Sequence, residues 1–284
     1  MATLLLLLRV TLRIAFRTHL ERKLLSLVQL RLGPNKVWLF GLAQPVLDGI
    51  KLFLKGRFNL EYSHKYLYKS VPVIAFMVMF LLLSCLPFRV VSSSQYQVLW
   101  LLIIFGVNSH LILISGWASQ SKFAMIGSIR SLAQAVSFEI LATVVLLFPY
   151  LVNFVFTWDY VWVYTLFVAV IVWIMIMLME SQRAPFDLSE AERELVRGFN
   201  TEYAAIFFTY FFLAEYGNLL VLAGLRNMMT FGWNSLIIFW VFLWFLLRSC
   251  YPRIRFDKLM ATTWMVCLPV VLLLWIVLLY SGWL

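Results

Sequence analysis

The chain has 284 residues, of which 63% are hydrophobic and 13% are charged, and its mean hydropathy is +0.91. A soluble domain is about 45–50% apolar and about 25% charged, because further apolar surface has nowhere to go once its core is filled. This composition excludes a soluble enzyme and a disordered chain, and it leaves a helical membrane protein. The net charge of +10 indicates basic loops on one side of a membrane rather than a nucleic-acid partner.

Eight segments are candidates for membrane-spanning helices, each of which needs about 20 mostly apolar residues. The stretch before Glu21 is the first and the least apolar of them. Seven more follow in chain order, at residues 70–88, 98–117, 131–158, 160–179, 203–225, 227–247 and 259–284. The sequence therefore predicts a single membrane domain, with an all-α polytopic fold of about eight transmembrane helices and amphipathic loop helices on the basic (matrix or cytoplasmic) side.

The loops between these segments differ in charge. Most Lys and Arg residues after the first segment fall in the odd-numbered loops, whereas the even-numbered loops hold only Arg89 and Arg226. Because loops rich in Lys and Arg stay on the inner side of a membrane, both termini are predicted to lie on the outer side.

Loop one contains a largely apolar stretch at residues 37–54, VWLFGLAQPVLDGIKLFL. It cannot comfortably span a membrane, because Pro45 interrupts it and Asp48 and Lys51 lie near its middle. One interpretation is an amphipathic helix at the membrane surface or packed under the bundle. The other is a mobile hydrophobic loop that lines an entrance for a lipid-like substrate.

Two carboxylates, Glu139 and Glu215, lie near the middle of predicted spans. An ionised carboxylate at that depth costs at least about 2.5 kcal/mol, so such residues face the bundle interior or a water-filled cavity. A structural hydrogen bond between helices would explain them, and a proton relay or an ion path is the functional alternative.

Loop five holds the densest group of acids. Pro185 breaks the preceding helix, and Asp187 and Glu190 have the spacing of a capping box, so a short helix accounts for two carboxylates. The other acids of this stretch lack such an explanation on the basic side of a membrane; they are Glu180, Glu192, Glu194 and Glu202. A row of coupled carboxylates is what proton movement needs.

The other titratable residues do not indicate a metal or redox centre. His19, His64 and His110 are scattered, and the three cysteines show no CxxC pairing. The sequence therefore predicts acid–base groups and an apolar chamber, with no metal ligands and no redox centre of its own.

Several stretches are more specific than a generic membrane helix requires. They are ERK (21–23), QLRLGPN (29–35), GLAQP (41–45), DGIKLF (48–53), SGWA (115–118), SFE (137–139), RAPFDL (183–188), EAERELVRGFN (190–200), EYAA (202–205), AEY (214–216) and YPRIRFD (251–257). Together they resemble the subunit 1 family of respiratory complex I, the subunit-H-type membrane subunits of the proton-translocating NADH:quinone oxidoreductases. The resemblance runs from about residue 21 to the end of the chain.

The resemblance implies the eight-span fold of that family and a role beside its quinone chamber. Such a subunit joins the hydrophilic arm of the complex to the proton-pumping arm and admits its substrate, ubiquinone, from the lipid. The chain itself would bind no cofactor, since NADH, FMN and Fe–S clusters belong to partner subunits. The implied partners are hydrophilic quinone-module subunits, small proton-pumping membrane subunits, membrane lipids and ubiquinone, without nucleic acid.

The resemblance also implies roles for individual residues. Those that would line or brace the quinone entrance are Arg22, Arg31, Asp48, Lys51, Phe53, Arg248, Arg253 and Arg255. Those that would form a catalytic proton relay are Glu139, Glu180, Glu190, Glu192, Glu194, Glu202 and Glu215. The chain then divides into a first span (1–25), a quinone-entrance loop (26–69), spans two to five (70–179), an acidic loop (180–202) and spans six to eight (203–284).

The first span departs from the family, in which it is ordinarily apolar. Arg9, Arg13 and Arg17 follow one another at intervals of four residues on one helical face. Three arginines within a span cost too much to face lipid, although residues near an end can extend to the interface. The helix is therefore buried against acidic partners, or it lies at the interface, or another polypeptide supplies the first span.

Two other functions share part of the pattern. A membrane anchor of an energy-converting hydrogenase has the same core and uses no quinone. A stand-alone proton-coupled transporter would show an inverted repeat with paired broken helices, which the sequence lacks. Short loops, high hydrophobicity and the missing targeting signal predict the mitochondrial inner membrane, with a bacterial plasma membrane as the alternative.

Overall fold

The computed structural model describes residues 2–56, 62–86, 97–153, 166–187, 198–231 and 237–281. Each regular element in these ranges is a helix, which confirms the all-α prediction. The first eight helices are α1 (Ala2–Val28), α2 (Gln44–Leu54), α3 (Lys65–Ser84), α4 (Gln97–Ser119), α5 (Lys122–Asn153), α6 (Leu166–Glu180), α7 (Ala205–Phe231) and α8 (Ile237–Cys250). The rest are α9 (Phe256–Ala261), a π-helical segment (Thr262–Cys267), α10 (Leu268–Ser281) and short 3-10 turns at Leu39–Gly41 and Gly198–Asn200.

Five of the described helical segments are long and apolar enough to cross a membrane: Lys65–Ser84, Val98–Ser119, Lys122–Leu147, Ala205–Leu225 and Phe256–Val277. They correspond to the predicted second, third, fourth, sixth and eighth spans. The predicted count of eight is not confirmed within the described residues. α1 is long enough but carries four arginines and one lysine. The described parts of α6 and α8, with 15 and 14 residues, fall short of the about 20 that a span needs.

The helices α3, α4, α5 and α7 form the centre of the bundle. α4 packs against both α3 and α5, α3 packs against α7, and α6 lies against α5 and α7. The faces in contact bury large side chains almost completely, among them Tyr68, Met79, Phe138 and Trp173. Because lipid tails are as apolar as these side chains, close van der Waals packing holds such helices together.

α4 and α5 approach closely at Gly116, the glycine of the SGWA motif. A Cβ atom at this position would lie 2.2 Å from Ser128 Oγ and 2.8 Å from the Ala124 carbonyl oxygen. Small residues on both helices therefore set the separation of their axes, as is typical of membrane helix pairs.

Replacing Gly116 by Ala is expected to destabilise the folded chain by about 1–3 kcal/mol, because the added methyl group meets backbone atoms and forces α4 and α5 apart. Gly49→Ala in α2 is the matched control, since a Cβ at Gly49 has no atom within 4 Å. Thermal unfolding of the protein extracted in mild detergent measures both variants. Equal unfolding temperatures for the two would contradict this account of the packing.

α1 packs against α2, α7 and α8, so it is part of the bundle. Arg17 is only 4% exposed, and its guanidinium lies 5.6 Å from the ring centroid of Trp244 and 5.8 Å from that of Phe245. Arg9 and Arg13 are exposed. Among the described residues, the buried arginine of α1 therefore meets aromatic rings of α8 instead of an acidic hydrogen-bond partner.

Candidate functional site

A buried ion pair joins α1 to α8. Glu21, whose side chain is 5% exposed, forms a salt bridge with Arg248 in the last turn of α8. Tyr216 of α7 donates a hydrogen bond from its hydroxyl to Glu21 Oε2 at 2.8 Å. Three helices thus meet at one carboxylate. Arg17 of α1 contacts Trp244 of α8, and one turn later in both helices Glu21 contacts Arg248. Because the residue numbers increase together along the contact, α1 and α8 run in the same direction.

A second ion pair involves Glu215, the residue of α7 that directly precedes Tyr216. Arg183, in the turn after α6, donates a hydrogen bond to Glu215 Oε2 at 2.7 Å, and the two side chains are 13% and 20% exposed. The Arg183 guanidinium also lies 5.4 Å from the centroid of the Tyr216 ring. A carboxylate at membrane depth needs a partner, and Arg183 explains how a candidate span accommodates Glu215.

These residues form one connected group, the charge cluster: Glu21, Arg183, Glu215, Tyr216 and Arg248. Tyr216 links its two halves, since the hydroxyl contacts one ion pair and the ring contacts the other. The two acids and two bases balance in formal charge. Protonation of either carboxylate would weaken its ion pair, so proton binding at the cluster is coupled to the pairing of Arg183 or Arg248.

Only two residues of this cluster have a site role predicted from the sequence. Glu215 is predicted to belong to the proton relay, and Arg248 is predicted to line or brace the quinone entrance. Glu21, Arg183 and Tyr216 are missed, although they lie within the motifs ERK, RAPFDL and AEY. Those motifs were the signal by which the three residues could have been found. The sequence could not show that the motifs meet in space, because Glu21 and Tyr216 are 195 positions apart.

A second polar group surrounds Glu139 on α5. Ser109 and His110 of α4 face its carboxyl group, and a Cβ at Gly106 would lie 3.8 Å from Glu139 Oε2. Glu180, the last residue of α6, is near enough to interact electrostatically with Glu139. The structure therefore brings two of the predicted relay residues together.

Loop five is anchored at both of its described ends. Gln134 of α5 donates hydrogen bonds from Nε2 to the carbonyl oxygens of Met179 at 2.8 Å and Phe186 at 3.1 Å. At the other end, Tyr68 of α3 donates to the carbonyl oxygen of Glu202 at 2.7 Å. The bundle core thus holds the loop where it leaves α6 and where it approaches α7.

The middle of this loop contains three predicted relay residues, Glu190, Glu192 and Glu194, which lie outside the described residues. Their part in a relay stays a prediction. In the part of the chain that the structure describes, no group of three or more His, Cys, Asp or Glu side chains could hold a metal ion.

Two of the predicted quinone-entrance residues form a pair between α1 and α2. Arg22 donates to Asp48 Oδ2 at 2.7 Å, and Gln44 donates to Asp48 Oδ1 at 2.8 Å. Lys51 and Phe53, on the same short helix, are exposed. The Arg22–Asp48 pair ties α2 to α1, whereas the Gln44–Asp48 bond lies within α2 and holds the carboxylate in place. Most apolar side chains of α2 remain exposed on the described chain.

The remaining predicted entrance residues lie elsewhere. Arg248 belongs to the charge cluster, and Arg253 lies 3.5 Å from Asp187 at the beginning of loop five. Arg31 and Arg255 are exposed. Three of the predicted entrance arginines therefore have different partners: Arg22 pairs with Asp48, Arg248 with Glu21 and Arg253 with Asp187.

The fold and the charge cluster define a class of protein, an all-helical membrane protein whose bundle carries ion-paired carboxylates. The family model described as NADH dehydrogenase matches residues 1–279. The chain is 38% identical to NADH-ubiquinone oxidoreductase chain 1 of Bradypus variegatus over 290 residues, which cover 93% of this chain and 91% of that protein. It is 36% identical to the protein of the same name from Metridium senile over 285 residues, covering 90% and 85% of the two chains.

The chain belongs to this NADH dehydrogenase family. It is a membrane subunit of respiratory complex I and a multi-pass protein of the mitochondrial inner membrane. The resemblance carried by the sequence motifs is thereby confirmed, and so is the predicted localisation.

Removing one partner of the Glu21–Arg248 pair is expected to destabilise the chain by about 3–5 kcal/mol, because a buried charge is left uncompensated. The single variants are Glu21→Gln and Arg248→Met, and their double variant is expected to regain most of the loss. Thermal unfolding of the complex in detergent gives the three values.

The control for these three variants is Arg255→Met, which removes an arginine whose side chain is 80% exposed. This substitution is expected to change the free energy of unfolding by about 1 kcal/mol or less. A double variant as unstable as the sum of its single variants would show that the two residues do not stabilise each other.

Proposed function

We propose that this chain forms part of the path by which ubiquinone enters complex I, and that its membrane carboxylates couple quinone reduction to proton transfer. Its relatives are named NADH-ubiquinone oxidoreductase chain 1, which supplies the reaction. The observation that carries the proposal is the charge cluster, in which Glu215 of a candidate span is paired with Arg183 and linked through Tyr216 to a second ion pair.

The part of this chain in the reaction is substrate access and proton transfer. Electrons come from NADH through FMN and Fe–S clusters held by partner subunits, and this chain holds none of these groups. The proposed relay comprises the seven predicted carboxylates: Glu139, Glu180, Glu190, Glu192, Glu194, Glu202 and Glu215.

Quinone reduction to quinol takes up electrons and an equal number of protons, so acids near the headgroup are suited to deliver them. The change in charge at the headgroup then alters the protonation of neighbouring acids. Glu215 responds by strengthening or releasing its contact with Arg183, and Tyr216 carries the change to Glu21 and Arg248. The relay is thus a set of ion pairs whose partners depend on where the protons are.

The surface of α2 supports the access path. Its exposed apolar side chains include Val46, Ile50, Phe53 and Leu54, while its polar side is tied to α1 through Asp48. A helix of this kind at a membrane surface offers a lipid-soluble substrate an apolar face beside basic groups.

Glu139→Gln and Glu180→Gln are each expected to slow quinone reduction or proton pumping by about tenfold or more, because the amide cannot exchange a proton in the relay. Assembly is expected to survive, since the amide keeps the size of the acid. The measurements are the rate of NADH oxidation and the proton uptake per NADH oxidised, both by the complex in vesicles. Asp257→Asn, at a side chain that is 70% exposed, is the control. Normal pumping in both glutamate variants would defeat the relay.

Phe53→Ala is expected to raise the KM for ubiquinone by about tenfold while kcat stays close to its original value, because a large apolar contact at the entrance is lost. Phe123→Ala is the matched control, since this side chain is 55% exposed, close to the 56% of Phe53, and it belongs to α5, outside the entrance loop. Steady-state kinetics over a range of ubiquinone concentrations separates KM from kcat. An unchanged KM would identify α2 as a membrane-surface helix without a part in access.

A further inference from the structure

A small cavity lies between α3, α4 and α7, on the opposite side of α4 from Glu139. Its volume is about 20 Å³, which is enough for one water molecule. Its polar lining is Asn108 of α4 with Glu215 and Asn218 of α7, and its apolar lining includes Ala75 and Leu111. Most of the cavity lining is apolar, and its three polar side chains supply the hydrogen-bond partners that a water molecule needs.

The two asparagines of the cavity are suited to hold such a water. Both are 7% exposed, and Asn218 Oδ1 is buried without a hydrogen-bond partner among the described residues. Asn218 lies three residues after Glu215, so both point from the same face of α7. A buried amide oxygen without a partner is costly, and a bridging water would satisfy it.

The same turn of α4 carries polar groups toward the other carboxylate. Successive residues of a helix point about 100° apart, so Asn108 lines the cavity while Ser109 and His110 turn toward Glu139 on α5. Ser109 Oγ and His110 Nδ1 lie 3.3 Å apart, and both lie 2.8 Å from the carbonyl oxygen of Gly106. One helical turn therefore presents polar side chains on two faces.

We propose that Asn108 and Asn218 position one water molecule against Glu215, so that Glu215 exchanges protons with this water inside the bundle. When Glu215 gives the water a proton, the water releases one of its own to the next acceptor of the proposed relay, so it is unchanged after each transfer. The two asparagines are positioning residues and do not themselves change protonation. The inference rests on the proposed function, in which both carboxylates take part in proton transfer.

The test compares two double variants whose new side chains have nearly equal size. The alanine pair combines Asn108→Ala and Asn218→Ala, and the serine pair combines Asn108→Ser and Asn218→Ser. Both leave room for water, but only the serine pair can hydrogen-bond it. In the complex reconstituted into vesicles, the alanine pair is expected to pump about tenfold fewer protons per NADH oxidised than the serine pair. The serine pair is expected to keep most of the original ratio. Ser115→Ala in α4 is the control, because that buried hydroxyl donates only within its own helix, to Ile112.

Equal pumping by the alanine and serine pairs would overturn the proposal, since a merely structural role treats the two alike. Glu139→Gln and Glu215→Gln, measured alongside, separate this inference from the proposed function. If the glutamate variants pump normally, the relay itself is wrong. If they lose pumping while the alanine pair keeps it, the relay stands and the water site is wrong.

Discussion

The membrane interior does not solvate charge, and the arrangement of this chain follows from that constraint more than from any other. Glu215 is accommodated in α7 because Arg183 reaches it from the turn after α6, and Glu21 is accommodated in α1 because Arg248 reaches it from α8. Each pair forms only when its helices pack in one relative position. The ion pairs therefore help to specify the bundle while they place acids where the proposed relay needs them.

Aromatic rings complement the ion pairs. Trp244 of α8 lies 5.6 Å from the Arg17 guanidinium and 5.8 Å from that of Arg248, so one ring contacts both buried cations. The electron-rich face of an indole stabilises a guanidinium without introducing a negative charge. The Trp244 ring therefore explains how α1 accommodates Arg17 inside the bundle, one helical turn before Glu21 and its ion pair.

The sequence predicted most accurately those properties that depend on neighbouring residues. Apolar runs located the five described helices that can cross a membrane, and Asp48 and Lys51 within an apolar stretch indicated a short helix that does not span. The predicted spans at α1, α6 and α8 are not confirmed, because α1 carries several basic residues and the described parts of α6 and α8 are shorter than a span. The predicted entrance set also contains Arg248 and Arg253, which pair with different acids, Glu21 and Asp187.

Composition and local motifs by themselves determined that this is an all-helical membrane protein and which family it belongs to, because these depend on runs and spacings along the chain. Only the tertiary structure decided which acid meets which base. Glu21 meets Tyr216 across 195 positions, and Glu215 meets Arg183 across 32 positions. The physical reason is that a buried charge takes the partner that helix packing brings within hydrogen-bond distance, and the order of residues along the chain does not specify that distance.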